Sequence, residues 1–353
     1  MIYDELLRPL LFLLNAEDAH RATLWALEHA AWTTRPFRSY ESMDDSQLNV
    51  SMFGHTLANP LGLAAGLDKD AQALQSWYNL GFGFAEIGTI TPFAQAGNPL
   101  PRLFRVEEQQ GLINRMGFPS EGAAVVKQRL EKKRDFQLPL AVNVGKNKAT
   151  AIADAAADYL AGIEALRDVA DWFVVNVSSP NTSDLRELQK PKYLRDLLAQ
   201  CVNAAAGKPV LVKLAPDFEQ ADLIATVEAA LLGGVAGIVA CNTTTQRTGL
   251  PSQYTFQSGG LSGQPLRDLA TKTIANVYKV TRGCVPIVGV GGVSTIDDYW
   301  DKLCAGANLV QVYTALIYQG PGLVGTLNAE LLERLCLRGI ANAQDVVGVG
   351  VMA

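Results

Sequence analysis

From residue 60 onward, short apolar runs rich in β-branched residues alternate with segments of helical periodicity. Eight such runs stand out: Pro60 to Ala65, Phe84 to Ile90, Leu138 to Val144, Trp172 to Ser178, Pro209 to Leu214, Ala236 to Cys241, Pro286 to Val290 and Asn308 to Tyr313. Most are apolar at successive positions, as strands covered on both faces of a parallel sheet must be. The segments between them carry helix signals. Pro265 suits a first helical position, and Leu266, Leu269, Ala270, Thr273, Ile274 and Val277 form one stripe. Ser294 with Asp297 predicts a variant capping box, and Gly81 and Gly233 are predicted left-handed caps. Eight alternating units predict an α/β fold, a TIM (β/α)8 barrel over residues 41–340, with an open doubly wound sheet as the alternative.

Ahead of the barrel, residues 1–40 predict an N-terminal helical extension. Ile2 to Leu14 and Ala16 to Trp32 read as two short helices, and Leu6, Leu7, Leu10, Leu11, Phe12, Leu13 and Leu14 exceed what one amphipathic face needs. Either this surplus packs on the barrel or a second copy, or it lies in a membrane interface. Residues 341–353 form a short tail with no predicted role.

Composition narrows the function classes. With 353 residues, 48% of them hydrophobic and 18% charged, the chain can bury a large core. Its net charge of -5 supplies no cationic field for a polyanion, which argues against nucleic acid. Cys201, Cys241, Cys284, Cys304 and Cys336 include no CxxC pair and are odd in number, which suits a reducing compartment. Asp4 and Glu5 stand where a secretory signal would be positive, and no apolar run reaches the roughly 18 residues of a spanning helix. His20, His29 and His55 all precede the first barrel strand. The barrel therefore offers no histidine metal site or triad, and no metal is expected.

Barrel sites lie at the C-terminal ends of the strands, and the ends of these runs are polar. They carry Asp68 and Lys69, Thr89, Asn143, Asn176 with Ser178 and Ser179, Lys213, Asn242 and Thr243, then Tyr313 and Thr314. GVGG (Gly289 to Gly292), after the seventh run, reads either as a phosphate cradle or as a plain turn. GGLSG (Gly259 to Gly263) either approaches the same phosphate or is a flexible loop. NVSSPNT (Asn176 to Thr182) is by itself an ordinary turn sequence. Amides that both donate and accept suit an imide-like ring edge, however, and NRMGF (Asn114 to Phe118) and NTT (Asn242 to Thr244) add two more asparagines at the same end. Ser179 is then a candidate proton acceptor. Lys69 and Lys213 are costly to bury without an anion.

Taken together, AAGLDK, EIGT, GNPLPRLFR, GLINRMGF, NVGKNK, NVSSPNT, VKLAPD, GGLSG, GVGG and LVQVYT resemble, in order, the quinone-reducing, membrane-associated class 2 dihydroorotate dehydrogenases over nearly the whole chain. The resemblance implies oxidation of dihydroorotate to orotate in pyrimidine biosynthesis, with one FMN per chain as hydride acceptor and a membrane quinone as oxidant. It implies FMN contacts at Ala65, Gly66, Leu67, Asp68, Lys69, Thr89, Asn143, Asn176, Lys213, Cys241, Gly263, Gly292, Tyr313 and Thr314. Substrate contacts are implied at Lys69, Asn114, Arg115, Met116, Gly117, Phe118, Asn176, Asn181, Asn242 and Thr243. Ser179 falls at the base position, where the soluble classes carry cysteine, with Thr182 and Phe118 as helpers. His20, Arg105 and Tyr313 are implied in the quinone tunnel. Peripheral attachment to the cytoplasmic face of the cell membrane follows if the source is bacterial. Cys241 departs from the family's usual threonine, which puts a hydroxyl contact to the flavin in question. Two rival readings share parts of the pattern: a flavin-free phosphate-binding barrel isomerase or aldolase, and a silent membrane-surface scaffold.

Overall fold

The computed structural model describes residues 3–38, 45–132 and 138–352; Ile2, the expected boundary between residues 40 and 41, and Ala353 lie outside them. The strands are β1 (Val50–Met52), β2 (His55–Leu57), β3 (Leu61–Leu63), β4 (Phe84–Ile90), β5 (Leu103–Val106), β6 (Gly111–Asn114), β7 (Leu140–Val144), β8 (Trp172–Asn176), β9 (Val210–Leu214), β10 (Gly237–Ala240), β11 (Gly260–Gly263), β12 (Ile287–Val290) and β13 (Leu309–Val312). β3, β4, β7, β8, β9, β10, β12 and β13 close into a parallel barrel in chain order, so every predicted run supplies one barrel strand. The TIM-barrel expectation holds, and the open sheet is excluded.

Alternation along these strands builds two different layers. Outward positions such as Ile87, Val142, Val175, Val212, Ile238 and Val310 are fully buried under the surrounding helices. Each such side chain contributes about 1.5–3 kcal/mol by leaving water. Inward, the N-terminal half of the barrel is filled by Phe84, Ala141, Trp172, Leu211, Val239, Val288 and Leu309. The β1–β2 hairpin covers that end, with Phe53 against Trp172 at a ring separation of 5.2 Å. Two residues further along the same strands, the inward positions turn polar: Glu86, Asn143, Lys213 and Gln311, all buried. The site stands on this polar layer.

Several local expectations need correction. The helix after β12, Ile296–Cys304, is capped by Thr295, whose side chain accepts from the N–H of Asp298 in a full capping box. Asp298, not Asp297, also accepts from the N–H groups of Ser294 and Thr295, while Asp297 pairs with Arg334. Gly81 adopts the left-handed cap (φ 96°) but Gly233 does not (φ −75°); the left-handed residue there is Gly234 (φ 80°). GGLSG is no loose loop. Its GLSG is β11, which pairs antiparallel with β6, and β6 pairs with β5, making a three-stranded sheet outside the barrel.

The N-terminal segment begins with a π-helical turn, Tyr3–Leu7, and continues as α1 (Arg8–Leu13), α2 (Ala16–His29) and a 3-10 stretch, Ala31–Phe37. One side docks on the barrel. Tyr3 Oη donates to the Ile317 carbonyl (2.7 Å), Ser76 Oγ to that of Leu27 (2.6 Å) and Asn79 Nδ2 to that of Ala31 (2.8 Å). Arg102 forms a largely buried fork with Glu17 (2.7 Å). The other side is apolar and open: Leu6, Leu10, Leu13, Trp25 and Trp32 are 56%, 54%, 82%, 64% and 71% exposed. At the far end, the tail is sewn to the chain before β1, with the Ala343 N–H donating to Gln47 and Asn342 Nδ2 to Ser46 and Asn49. No described helix is long and apolar enough to cross a membrane.

Candidate active site

A cleft opens at the C-terminal end of the barrel strands, walled on one side by the β5–β6–β11 sheet and containing about 1220 Å3 of empty space including its solvent-facing mouth. The side chains at its floor are held by a carboxylate. Glu86, fully buried in the middle of β4, accepts from Asn143 Nδ2 (2.7 Å), Gln311 Nε2 (2.7 Å) and the ammonium of Lys213 (3.4 Å). A buried charge persists only when paired and hydrogen-bonded, and here both conditions are met.

Above the floor, the loop after β8 supplies Ser179, which is buried and accepts the Asn181 N–H at 3.2 Å. Asn176 is held by its own carbonyl, which accepts from Tyr159 Oη at 2.8 Å, and its Nδ2 donates to Thr89 Oγ1 at 2.9 Å. Asn181 Nδ2 reaches across to Asn114 Oδ1 (3.0 Å), and Asn242 Nδ2 to Ser178 Oγ (2.9 Å). Arg186 locks these loops together by donating to the carbonyls of Ser178 (3.0 Å) and Thr243 (3.1 Å) while paired with Asp217 (2.9 Å). Asn98 does the same on the opposite side, its Nδ2 donating to the carbonyls of Arg115 and Asn181, both at 3.0 Å.

Ala65, Gly66, Lys69, Thr89, Asn114, Met116, Gly117, Phe118, Asn176, Ser179, Asn181, Lys213, Cys241, Asn242, Thr243, Gly263, Gly292, Tyr313 and Thr314 all line this one cleft. The remaining expected residues stand behind it. Asp68 faces away, accepting from the N–H groups of Gln72 and Ala73 and from Trp77 Nε1 (2.9 Å), so its carboxylate is spent on the turn that leads into the helix Leu74–Leu80. Leu67 belongs to the outer core. Asn143 supports Thr89 from below, accepting its hydroxyl proton (2.6 Å). Arg115 stacks on Phe104 (4.5 Å) and donates to Gln257 (3.1 Å). Glu86, Gln311, Asn98 and Arg186 were missed by the sequence reading. Glu86 and Gln311 had a signal, each a lone acid or amide inside an apolar strand run; Asn98 and Arg186 act through loop contacts that no local pattern encodes.

Electrostatically, the cleft is poised for an anion. Burial lowers the pKa of Lys69, whose ammonium donates to the Gly66 carbonyl (2.7 Å), with Asp70 and Glu17 opposing the shift. Burial also pushes the Cys241 thiol up to about 12, leaving it a neutral group whose Sγ faces the Val290 carbonyl. His20, on α2, is held down at about 3 by burial and then by the positive charges of Lys69 and Arg21. Arg105 lies beneath α1, donating to the carbonyls of Leu14 (2.8 Å) and Leu11 (3.2 Å) and covering the Phe12 ring at 4.3 Å. His20 and Arg105 thus sit on the flank that the N-terminal helices cover, and Tyr313 faces the cleft itself.

Comparison with known proteins decides among the rival readings. The family model for dihydroorotate dehydrogenase matches residues 47–335. The chain belongs to the dihydroorotate dehydrogenase family. It is 49% identical to a dihydroorotate dehydrogenase (quinone) of Deinococcus radiodurans, covering 97% of this chain and 99% of the relative. It is 44% identical to the mitochondrial dihydroorotate dehydrogenase (quinone) of Mus musculus, covering 98% and 90%. Among solved structures, that of a dihydroorotate dehydrogenase of Eimeria tenella in complex with ferulenol superposes with a TM-score of 0.88 at 38% identity, covering 95% of both chains. The isomerase, aldolase and scaffold readings give way to this dehydrogenase family.

Proposed function

We propose that this chain is a flavoprotein that oxidises dihydroorotate to orotate and passes the electrons to a quinone, in pyrimidine biosynthesis. The observation that carries the reading is the convergence of Ser179, Lys69 and four asparagines (Asn114, Asn176, Asn181 and Asn242) on one glycine-walled cleft. The cleft fits FMN on two counts. Gly66, Gly263, Gly291 and Gly292 border it with positive φ (99°, 87°, 123° and 69°). Backbone bare of side chains suits a phosphate. Gln311 Oε1, buried on the cleft wall, has no partner and can accept from a ring N–H. When bound, FMN supplies the hydride acceptor.

The chain's own residues do the rest. Lys69 binds the substrate carboxylate, which restores the anion its buried ammonium lacks. Asn114, Asn176, Asn181, Asn242 and Thr243 grip the ring edge, with Met116, Gly117 and Phe118 closing one side. Ser179 takes the proton from the methylene carbon. Serine is a weak base in water, so the enclosed site must orient it and carry the proton onward. Thr182 Oγ1, buried in the same loop without a partner in the protein, is our candidate for the next acceptor, reached through a bridging water. Behind the cleft, residues 1–40 admit the quinone past His20, Arg105 and Tyr313, and the exposed leucines and tryptophans of that segment rest in a bilayer surface as a peripheral attachment. The barrel, residues 41–340, holds FMN and substrate.

An anaerobic titration of the purified protein with dihydroorotate, recorded by visible absorbance, tests the reading. Stoichiometric bleaching of a yellow protein is expected. A colourless protein, or a yellow one that dihydroorotate leaves oxidised, would refute it.

A further inference from the structure

Beneath the substrate site, side-chain hydrogen bonds run in one direction from a single carboxylate. Glu86, facing the Lys213 ammonium, can only accept. It therefore dictates which way round two amides stand, because Asn143 and Gln311 must both turn their NH2 groups toward it. Asn143 then has its oxygen left for Thr89 and receives that hydroxyl proton at 2.6 Å. Thr89 has spent its one proton, so its oxygen accepts from Asn176 Nδ2 at 2.9 Å. Asn176 is left presenting an acceptor, which gathers the Ser178 N–H (3.2 Å), the Ser178 hydroxyl (3.2 Å) and Asn242 Nδ2 (3.3 Å). Gln311, by the same logic, turns a bare Oε1 to the cleft wall.

We infer that Glu86 is a positioning residue for the reaction: through Asn143, Thr89 and Asn176 it fixes the polarity that holds Ser178 and Asn242 in place at the cleft floor, and through Gln311 it turns an open acceptor to the cleft, selecting ligands that bring an N–H group. Reversing the Asn176 link sets its NH2 against the donors of Ser178 and Asn242 and loosens both, and reversing Gln311 sets a buried N–H against a ligand N–H. The same carboxylate also offsets the charge of Lys213. A cation beside a redox cofactor favours its electron-rich form, so the Glu86 charge holds the cofactor's potential down. The inference rests on Asn176 being a substrate contact, as proposed above.

Two holoenzyme variants test it, each titrated with orotate through the flavin spectrum. Glu86→Gln keeps the side-chain shape and removes the charge; orotate should bind about tenfold more weakly or worse, and the midpoint potential should rise. A purely architectural role would leave the potential still. Thr89→Val cuts the relay above Asn143 and leaves Glu86 with Lys213; orotate binding should weaken in the same way. An unchanged potential in Glu86→Gln, or native orotate affinity in either variant, overturns the inference. Should Glu86→Gln fail to hold flavin, the affinity of Thr89→Val decides alone. The unmutated protein, titrated alongside, separates the two levels: if it does not bind orotate, the substrate reading has failed rather than the relay.

Discussion

The barrel mouth and the N-terminal helices lie side by side and obey opposite rules. At the mouth, polar groups are buried and nearly every one has a partner: Glu86 has three, Asn176 has links above and below, and Arg186 ties two loops at once. Across the N-terminal segment, apolar groups are exposed, with Leu13 at 82% and Trp32 at 71%. The difference teaches how one chain holds reactants of two kinds. A polar ring needs fixed, directional partners, and rigid strands supply them. A greasy oxidant needs an apolar, adaptable surface, and on the proposal above the two short helices would supply it.

Breaking the mouth should have the largest effect. Ser179→Ala should bind FMN normally yet slow flavin reduction by dihydroorotate about 10^2 to 10^4-fold in stopped flow, the usual range for a lost proton acceptor; near-native reduction would take the serine out of its role. The helices should respond differently. Leu10→Glu with Leu13→Glu, two exposed positions, should cut binding to anionic lipid vesicles by about tenfold or more and slow reoxidation by a long-chain quinone, while dihydroorotate still reduces the flavin at the native rate. Equal vesicle binding would contradict the bilayer reading. Point changes make a cleaner test than removing residues 1–38, because that deletion takes Glu17 from the largely buried Arg102 and uncovers the partners of Leu27 and Ala31.

The smallest effect concerns the seam between the two regions. His20 is held near 3 in the folded protein, below the ordinary value of about 6.5. The unfolded chain therefore binds a proton that the native one refuses, so stability is full above pH 6.5 and falls as pH drops from there toward 3. The loss is on the order of 1 kcal/mol per pH unit from this group. His20→Gln should flatten that part of the urea-midpoint profile between pH 6.5 and 5; an identical slope would show that His20 is not the group responsible.

Much of this division was legible in the residues. All eight barrel strands were found from runs most of which are apolar on both faces; Phe84–Ile90 is kept whole, and the others are trimmed at one or both ends because residues such as Pro60 and Ser178 belong to the turns. The antiparallel sheet was not legible, since GLIN and GLSG are four-residue strands with glycine, and only pairing between β6 and β11 makes them strands at all. The cap before Ile296 was displaced by one residue because STIDD fits the capping pattern in two registers. Nineteen expected contacts share one cleft, yet Asp68 does not, since its carboxylate is consumed by backbone N–H groups next to it in the chain. A motif gives the neighbourhood; which way a side chain turns is settled by what else needs it.

Phe53, on a hairpin that the eightfold pattern does not call for, stops the far end of the cylinder against Trp172 like a cork in a bottle. The far end of the barrel is thereby shut to a substrate-sized molecule, and dihydroorotate has to come and orotate to go on the side of the cleft.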